Sequence, residues 1–248
     1  RQFAMGFYYF AVYISPPGCC TRRKTTMKTV VFRSLLSLFY PHCCAMCGSL
    51  LEDETITLCP ECIRHLPRTE QCALRANMTD ELFSDLPRFQ RAAAFLFFDK
   101  GAAIQHVIHK MKFHEQPRIA YDLAREASYD FMQADFFDGI DLIIPIPLHS
   151  KRLRERGYNQ SEWIARALSE ATGIPMDTTH VSRIRNNPQQ ALQKAQDRAT
   201  NVEGVFAVNH PEELYRKHIL IVDDLITTGS TVRACMKAMK DAEITPDK

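Results

Sequence analysis

The chain has almost no net charge, no apolar run of membrane length and no internal repeat. Its 31 basic residues nearly balance 29 acidic ones, which leaves a formal net charge of +2. No global field therefore argues for a polyanionic partner. The most apolar stretch, Phe3 to Ile14, is shorter than the about 20 residues a spanning helix needs. It also fails as an export signal, because only Arg1 precedes it and no small-x-small site follows. No stable membrane insertion is expected, and the expected location is the cytoplasm. The 248 residues suffice for one large domain, or for a medium domain and a small one.

Texture divides the chain. Pro16, Pro17 and Gly18 break the first apolar stretch, and Met27 opens a short amphipathic pattern. Residues 1–26 are read as a non-native or disordered extension. Residues 27–66 are read as an amino-terminal helix and a cysteine module, and 67–90, polar and irregular, as a linker. From residue 91 to 248 short apolar runs alternate with helical patterns, as in an α/β domain with a mostly parallel sheet. Strands are expected at Ala92–Phe98, Leu142–Ile146, Thr178–Ile184, Val205–Asn209 and Ile219–Val222. Helices are expected from Gly101 to Phe113, from Pro117 to about Met132, from Gln160 to Ala171 and from Ser230 to Asp241.

The most informative run is ILIVDDLITTGST, Ile219 to Thr231. Its apolar start reads as a strand buried on both faces. Asp223 and Asp224 then lie at the carboxyl end of that strand, where open α/β sheets bind ligands. Thr227, Thr228, Gly229, Ser230 and Thr231 form a loop of hydroxyls and backbone N–H groups opening onto a helix, which favours an anion. Two acids repel phosphate and so should face sugar hydroxyls, a metal ion, or both. Phosphoribosyl pyrophosphate (PRPP) has that layout. The bland alternative is a buried strand followed by a polar turn and a capped helix.

Cys44-x-x-Cys47 and Cys59-x-x-Cys62 are two of the motifs that bring paired thiolates to one side of a turn. Together Cys44, Cys47, Cys59 and Cys62 are expected to form a closed structural zinc site. Cys43 and His42 are alternative ligands, and disulfides would need an oxidising compartment. Cys19, Cys20, Cys72 and Cys235 read as free thiols. The block IPIPLHSKRLRERGYNQS carries a basic cluster after a strand end, on the ligand side of the inferred sheet. It suits pyrophosphate, because guanidinium groups pair with phosphate oxygens bidentately; a solvated basic turn is the alternative. The polar stretch Arg183 to Val202 is either a lid or a disordered loop.

The run Ile219 to Thr231 resembles the PRPP signature of type I phosphoribosyltransferases. That resemblance implies that Asp223 and Asp224 hold the ribose hydroxyls, and that Thr227 to Thr231 cradle the 5′-phosphate. The ordered set of cysteine pairs, IHKMKFHEQPRIAYDLA, PIPLHSKRLRERGYNQS and VDDLITTGST resembles the ComF family over about Met27 to Asp241. The resemblance implies a zinc ribbon before a phosphoribosyltransferase-type domain, and a part in competence and use of exogenous DNA. It carries over Arg152, Arg156, Gly157, Asn159 and Gln160 in the loop block, and Gln190, Arg198, Asn201 and Phe206 in the later, lid-like block. Where many relatives have a second knuckle pair, only Cys72 stands here. The family's further strand after the last helix is not seen, so a truncated carboxyl end is expected. Three functions follow as expectations. One is an Mg²⁺-dependent phosphoribosyltransferase with an unidentified acceptor. Another is a PRPP or nucleotide sensor that contacts single-stranded DNA or DNA-uptake proteins. The last is a structural protein.

Overall fold

A computed structural model describes residues 6–7, 42–98, 103–113, 116–185 and 204–244. The lid-like residues Gln190, Arg198 and Asn201, and most of residues 1–26, lie outside the described residues. Strand β1 (Gly6–Phe7) pairs antiparallel with β2 (Phe97–Phe98). Helix α1 (Pro60–Arg64) belongs to the cysteine module. Helix α2 (Met78–Glu81) follows a reciprocal cap, in which Asn77 accepts from Thr79 and Asp80 while Asp80 accepts from the Asn77 backbone.

The domain centre is a parallel pair. Strand β3 (Leu142–Pro145) runs beside β6 (Ile219–Val222), with Leu142 opposite Ile219 and Pro145 opposite Val222. Met176 extends this sheet through a parallel bridge to Ile143. Helix α3 (Ala103–Phe113) precedes α4 (Pro117–Gln133), and α6 (Gln160–Thr172) and α7 (Ser230–Ile244) follow their strands. In α4 the buried residues Ile119, Ala120, Leu123, Ala124, Ala127 and Phe131 recur at helical spacing. Side chains alternate across a strand, and the two faces of β3 serve different cores. Ile143 packs with the α4 and α6 residues, while Leu142 and Ile144 pack with Cys235, Val181 and Phe206. Both faces are therefore covered, as a parallel sheet requires.

Three differences from the sequence reading stand out. Ile219 and Ile221 are only half-buried, so β6 is not sealed evenly on both faces. The runs around 181 and 206 form an antiparallel ribbon, β4 (Val181–Arg183) with β5 (Phe206–Val208), rather than further parallel strands. Finally, the basic stretch after β3 is a short helix, α5 (Ser150–Arg156), not an open turn. The His149 side chain accepts from the Lys151 N–H at 3.2 Å, and Gly157 closes the helix at φ 82°. None of its residues is buried, so apolar periodicity had nothing to signal.

Segment 67–90, expected as a linker, is tied in at many points. Gln71, Asn77 and Thr79 are buried and hydrogen-bonded to one another and to the Ala92 and Ala94 backbone. Phe83 packs with Ala92, Ala94, Ile226 and Val232. Among the described residues, no helix is long and apolar enough to cross a membrane.

Candidate functional site

Because β3 and β6 are parallel, their carboxyl ends lie at one edge, and the predicted residues gather there. The Ile146 N–H donates to the Val222 carbonyl at 2.8 Å. Asn159 donates through Nδ2 to the Ile146 carbonyl at 3.0 Å, which fixes the start of α6 beside the β3 end. Ser161, in the first turn of α6, lies 3.4 Å through Oγ from Asp223 Oδ1, and the Asp224 N–H donates to the same oxygen at 2.9 Å. Asp223 is thus buried and oriented, whereas Asp224 is half-buried beside it.

The loop after the acids leaves its donors open. Among the described residues, the backbone N–H groups of Thr227, Thr228, Gly229, Ser230 and Thr231 meet no protein acceptor. Thr227 and Thr228 are exposed, and α7 begins at Ser230. Open N–H groups at a helix start form an anion cradle. The cradle has a wall behind it. A Cβ on Gly229, at φ +68°, would come within 2.7 Å of the Phe83 ring. Arg233, one turn on, donates to Asp85 Oδ2 at 2.9 Å and to the Leu82 carbonyl, so segment 82–85 is bolted to the loop. We predict that Gly229→Ala destabilises the fold by about 2–4 kcal/mol, from overpacking plus the left-handed backbone. Denaturant titration measures this, and a loss under about 0.5 kcal/mol, within the usual range for a surface change, contradicts it.

Of the basic block, Arg152 is half-buried and Lys151 and Arg154 are exposed. Arg156 donates through Nη1 to Gln160 Oε1 at 2.5 Å. Gln160 is buried, and its Nε2 reaches the Met111 carbonyl at 3.4 Å, a carbonyl that also accepts from the Tyr158 hydroxyl. Asn159 and Gln160 thus join elements. Ser161, not singled out by itself in the sequence, also belongs to this edge and orients Asp223. Arg183, the last residue of β4, senses the charges of Arg152 and Asp223, and burial is the main cause of its lowered pKa. Cys235 is buried beneath the acids, and burial followed by the Asp223 charge pushes its thiol up to about 12. It is inert as a nucleophile. Ser161 closes the basic block and Arg183 opens the polar stretch singled out in the sequence, but the contact of Ser161 with Asp223 is distant along the chain and could not be read there.

The cysteine module is a second centre. The sulfurs of Cys44, Cys47, Cys59 and Cys62 all lie within 4.8 Å of one another. Cys47 and Cys59 are 3.7 Å apart, and a tetrahedron with metal–sulfur bonds of about 2.3 Å has edges of about 3.8 Å. The Cys59 N–H donates to Cys44 Sγ at 3.3 Å, and the Cys62 N–H to Cys59 Sγ at 3.4 Å. Hydrogen bonds from Ser49 lower the Cys47 pKa to about 6, whereas burial and the neighbouring thiols push Cys62 up. Thiols this close resist joint ionisation, and a divalent cation supplies the charge that lets all of them lose protons. The donor set therefore fits zinc. Cys43 is exposed and stands outside the cluster, and His42 instead contacts the Ile56 carbonyl at 2.6 Å. Thr57 donates to Asp122 through its N–H and hydroxyl, each at 2.9 Å, and Lys110 donates to the Ala45 carbonyl at 3.1 Å, which docks the module on α3 and α4.

Comparison with known proteins agrees with this arrangement. Residues 153–245, which hold the acids, the loop and α7, match the family described as Phosphoribosyl transferase domain. The chain is 30% identical over 206 residues to the DNA utilization protein YhgH of Escherichia coli (strain K12), covering 81% of this chain and 85% of that protein. It is 28% identical over 231 residues to Competence protein F of Haemophilus influenzae, covering 92% and 87%. It is 25% identical over 197 residues to Competence protein ComFC of Bacillus subtilis, covering 79% and 77%. No solved structure matches the chain. An α/β phosphoribosyltransferase domain with a parallel sheet, preceded by a four-cysteine cluster and related over most of its length to DNA utilization and competence proteins, places this chain in the ComF family.

Proposed function

We propose that the chain binds PRPP at the carboxyl edge of β3 and β6 and acts in the use of exogenous DNA. The observation that carries this reading is the juxtaposition of an oriented carboxylate pair with a loop of open N–H donors on one strand–loop–helix unit. Asp223 and Asp224 accept the ribose hydroxyls, and Thr227 to Thr231 take the 5′-phosphate. Arg152 faces the diphosphate, while Arg156, Gly157, Asn159 and Gln160 shape that side. Gln190, Arg198 and Asn201 serve as lid residues in this reading. The four-cysteine module holds structural zinc. Mg²⁺ bound with PRPP would supply charge to neutralise the diphosphate, in keeping with its preference for phosphate oxygens and carboxylates.

In a transfer reaction a nucleophile displaces pyrophosphate from the ribose C1, and positive charge develops on the sugar. The buried Asp223 and its neighbour Asp224 stabilise that charge and position the ring. The DNA connection comes from the relatives, which are named for DNA utilization and competence. The test follows pyrophosphate during incubation with PRPP, Mg²⁺ and nucleobase or single-stranded DNA acceptors. Pyrophosphate release marks a transferase. Binding without release marks a PRPP sensor in the same pathway. A zinc-loaded chain that neither binds nor releases contradicts the proposal.

A further inference from the structure

The cradle from Thr227 to Thr231 rests on a part of the chain far from it in sequence. Ile226, just before the cradle, and Val232, just after it, are buried in one small core with Phe83. Between them Gly229, at φ +68°, lies so close to Phe83 that a Cβ would stand 2.7 Å from the ring carbons Cε1 and Cζ. One ring therefore backs the middle of the loop, and its core takes the residue on either side. Phe83 is only 1% exposed and is itself held. Its N–H donates to the Asp80 carbonyl at 3.0 Å, and its carbonyl accepts from the Leu86 N–H at 2.9 Å. The Asp80 carboxylate in turn accepts from the Ala92 N–H at 2.6 Å. The ring thus sits on a frame that the loop does not supply.

A polar tether stands beside the ring. Arg233 donates through Nη1 to Asp85 Oδ2 at 2.9 Å and through Nη2 to the Leu82 carbonyl, and its backbone N–H donates to the Gly229 carbonyl at 2.9 Å. Phe83 has no polar side-chain atom, and Asp85 is an anion already matched by Arg233. Neither is suited to touch a phosphate, so any effect on the ligand runs through the loop. Convergent N–H donors bind an anion best when they are in place before it arrives, because a loop that must be ordered on binding loses affinity. We propose that Phe83 and Asp85 are positioning residues for 5′-phosphate recognition: the ring and the Asp85–Arg233 pair hold the backbone of Thr227 to Thr231 in its anion-binding form. This inference rests on the phosphoribosyl reading of the site. It gives segment 82–85 a part in ligand recognition, although that segment lies outside residues 153–245, the stretch matched to the phosphoribosyltransferase family.

The test titrates the full zinc-loaded chain, with Mg²⁺ present, with PRPP, ribose 5-phosphate and inorganic pyrophosphate. Phe83→Leu stays apolar and withdraws the ring edge from Gly229. It should lose about tenfold in affinity for both PRPP and ribose 5-phosphate, corresponding to about 1.4 kcal/mol. Pyrophosphate, which carries no 5′-phosphate, should change by less than about twofold. Asp85→Asn alters an exposed position, so it serves where Phe83→Leu does not fold. It should weaken the same two ligands by about threefold, the scale of one exposed ion pair. Amide hydrogen exchange from Thr227 to Thr231 should quicken in both variants before ligand is added. Equal losses for all three ligands would assign these residues a general structural role and overturn the inference, as would unchanged PRPP affinity in any variant that folds. Those results leave the parent reading standing. Failure of the wild type itself to bind PRPP would remove both.

Discussion

Replacing both acids, Asp223→Asn with Asp224→Asn, should lower PRPP affinity by about a hundredfold or more and leave the fold intact. The size follows from the chemistry. A hydrogen bond to a charged group contributes about 1.5–3 kcal/mol, and in the proposed site two such carboxylates hold the ribose. Together they reach about two decades or beyond at about 1.4 kcal/mol per decade. The fold should survive because Asn keeps the Oδ1 acceptor. That oxygen receives the Asp224 N–H at 2.9 Å and stands 3.4 Å from Ser161 Oγ. The measurement is PRPP titration of the double variant beside a thermal melt. Unchanged affinity in a folded double variant contradicts the assignment of the acids.

Loss of the four-thiolate site is the second large effect. Cys62→Ser, or chelation, should unfold the cysteine module and lower the melting temperature of the whole chain. Structural zinc in small modules binds with about 10–16 kcal/mol of apparent free energy, much of it coupled to folding. This module also shares the main apolar core. Its buried apolar residues include Ala45, Leu58 and Leu66, and it docks on α3 and α4 through Lys110 and Asp122. Once the knuckles open, those docking contacts lose their geometry and the faces of α3 and α4 beneath them meet water. Metal analysis should find about one zinc per chain in the wild type and none in the variant. A metal-free wild type with an unchanged melt contradicts this account.

These effects also show which parts of the molecule a single sequence discloses. Strands and helices with strong apolar periods were visible, since β3, β6, α4, α6 and α7 fall within a few residues of the expected runs. Local motifs were visible too, because the cysteine spacing and the Ile219–Thr231 run encode their geometry within a few turns of chain. Three features were hidden for identifiable reasons. Helix α5 has no buried residue and therefore no apolar period. Pairing of β4 with β5 spans the residues between Arg183 and Phe206, and strand direction is not written in a three-residue run. The wall behind the loop requires Phe83 to meet Gly229, a contact across more than half the chain. The same distance explains why Phe83, in a polar stretch, reads as part of a linker until its partner is known.

The central claim is that the strand, loop and helix from Ile219 to Ile244 form a phosphoribosyl site. The most direct measurement is isothermal titration of the zinc-loaded chain with PRPP in the presence of Mg²⁺. Saturable binding at about one PRPP per chain, weakened when Mg²⁺ is withdrawn, is the predicted result. No heat and no saturation, in a chain that melts cooperatively and carries its zinc, would contradict it.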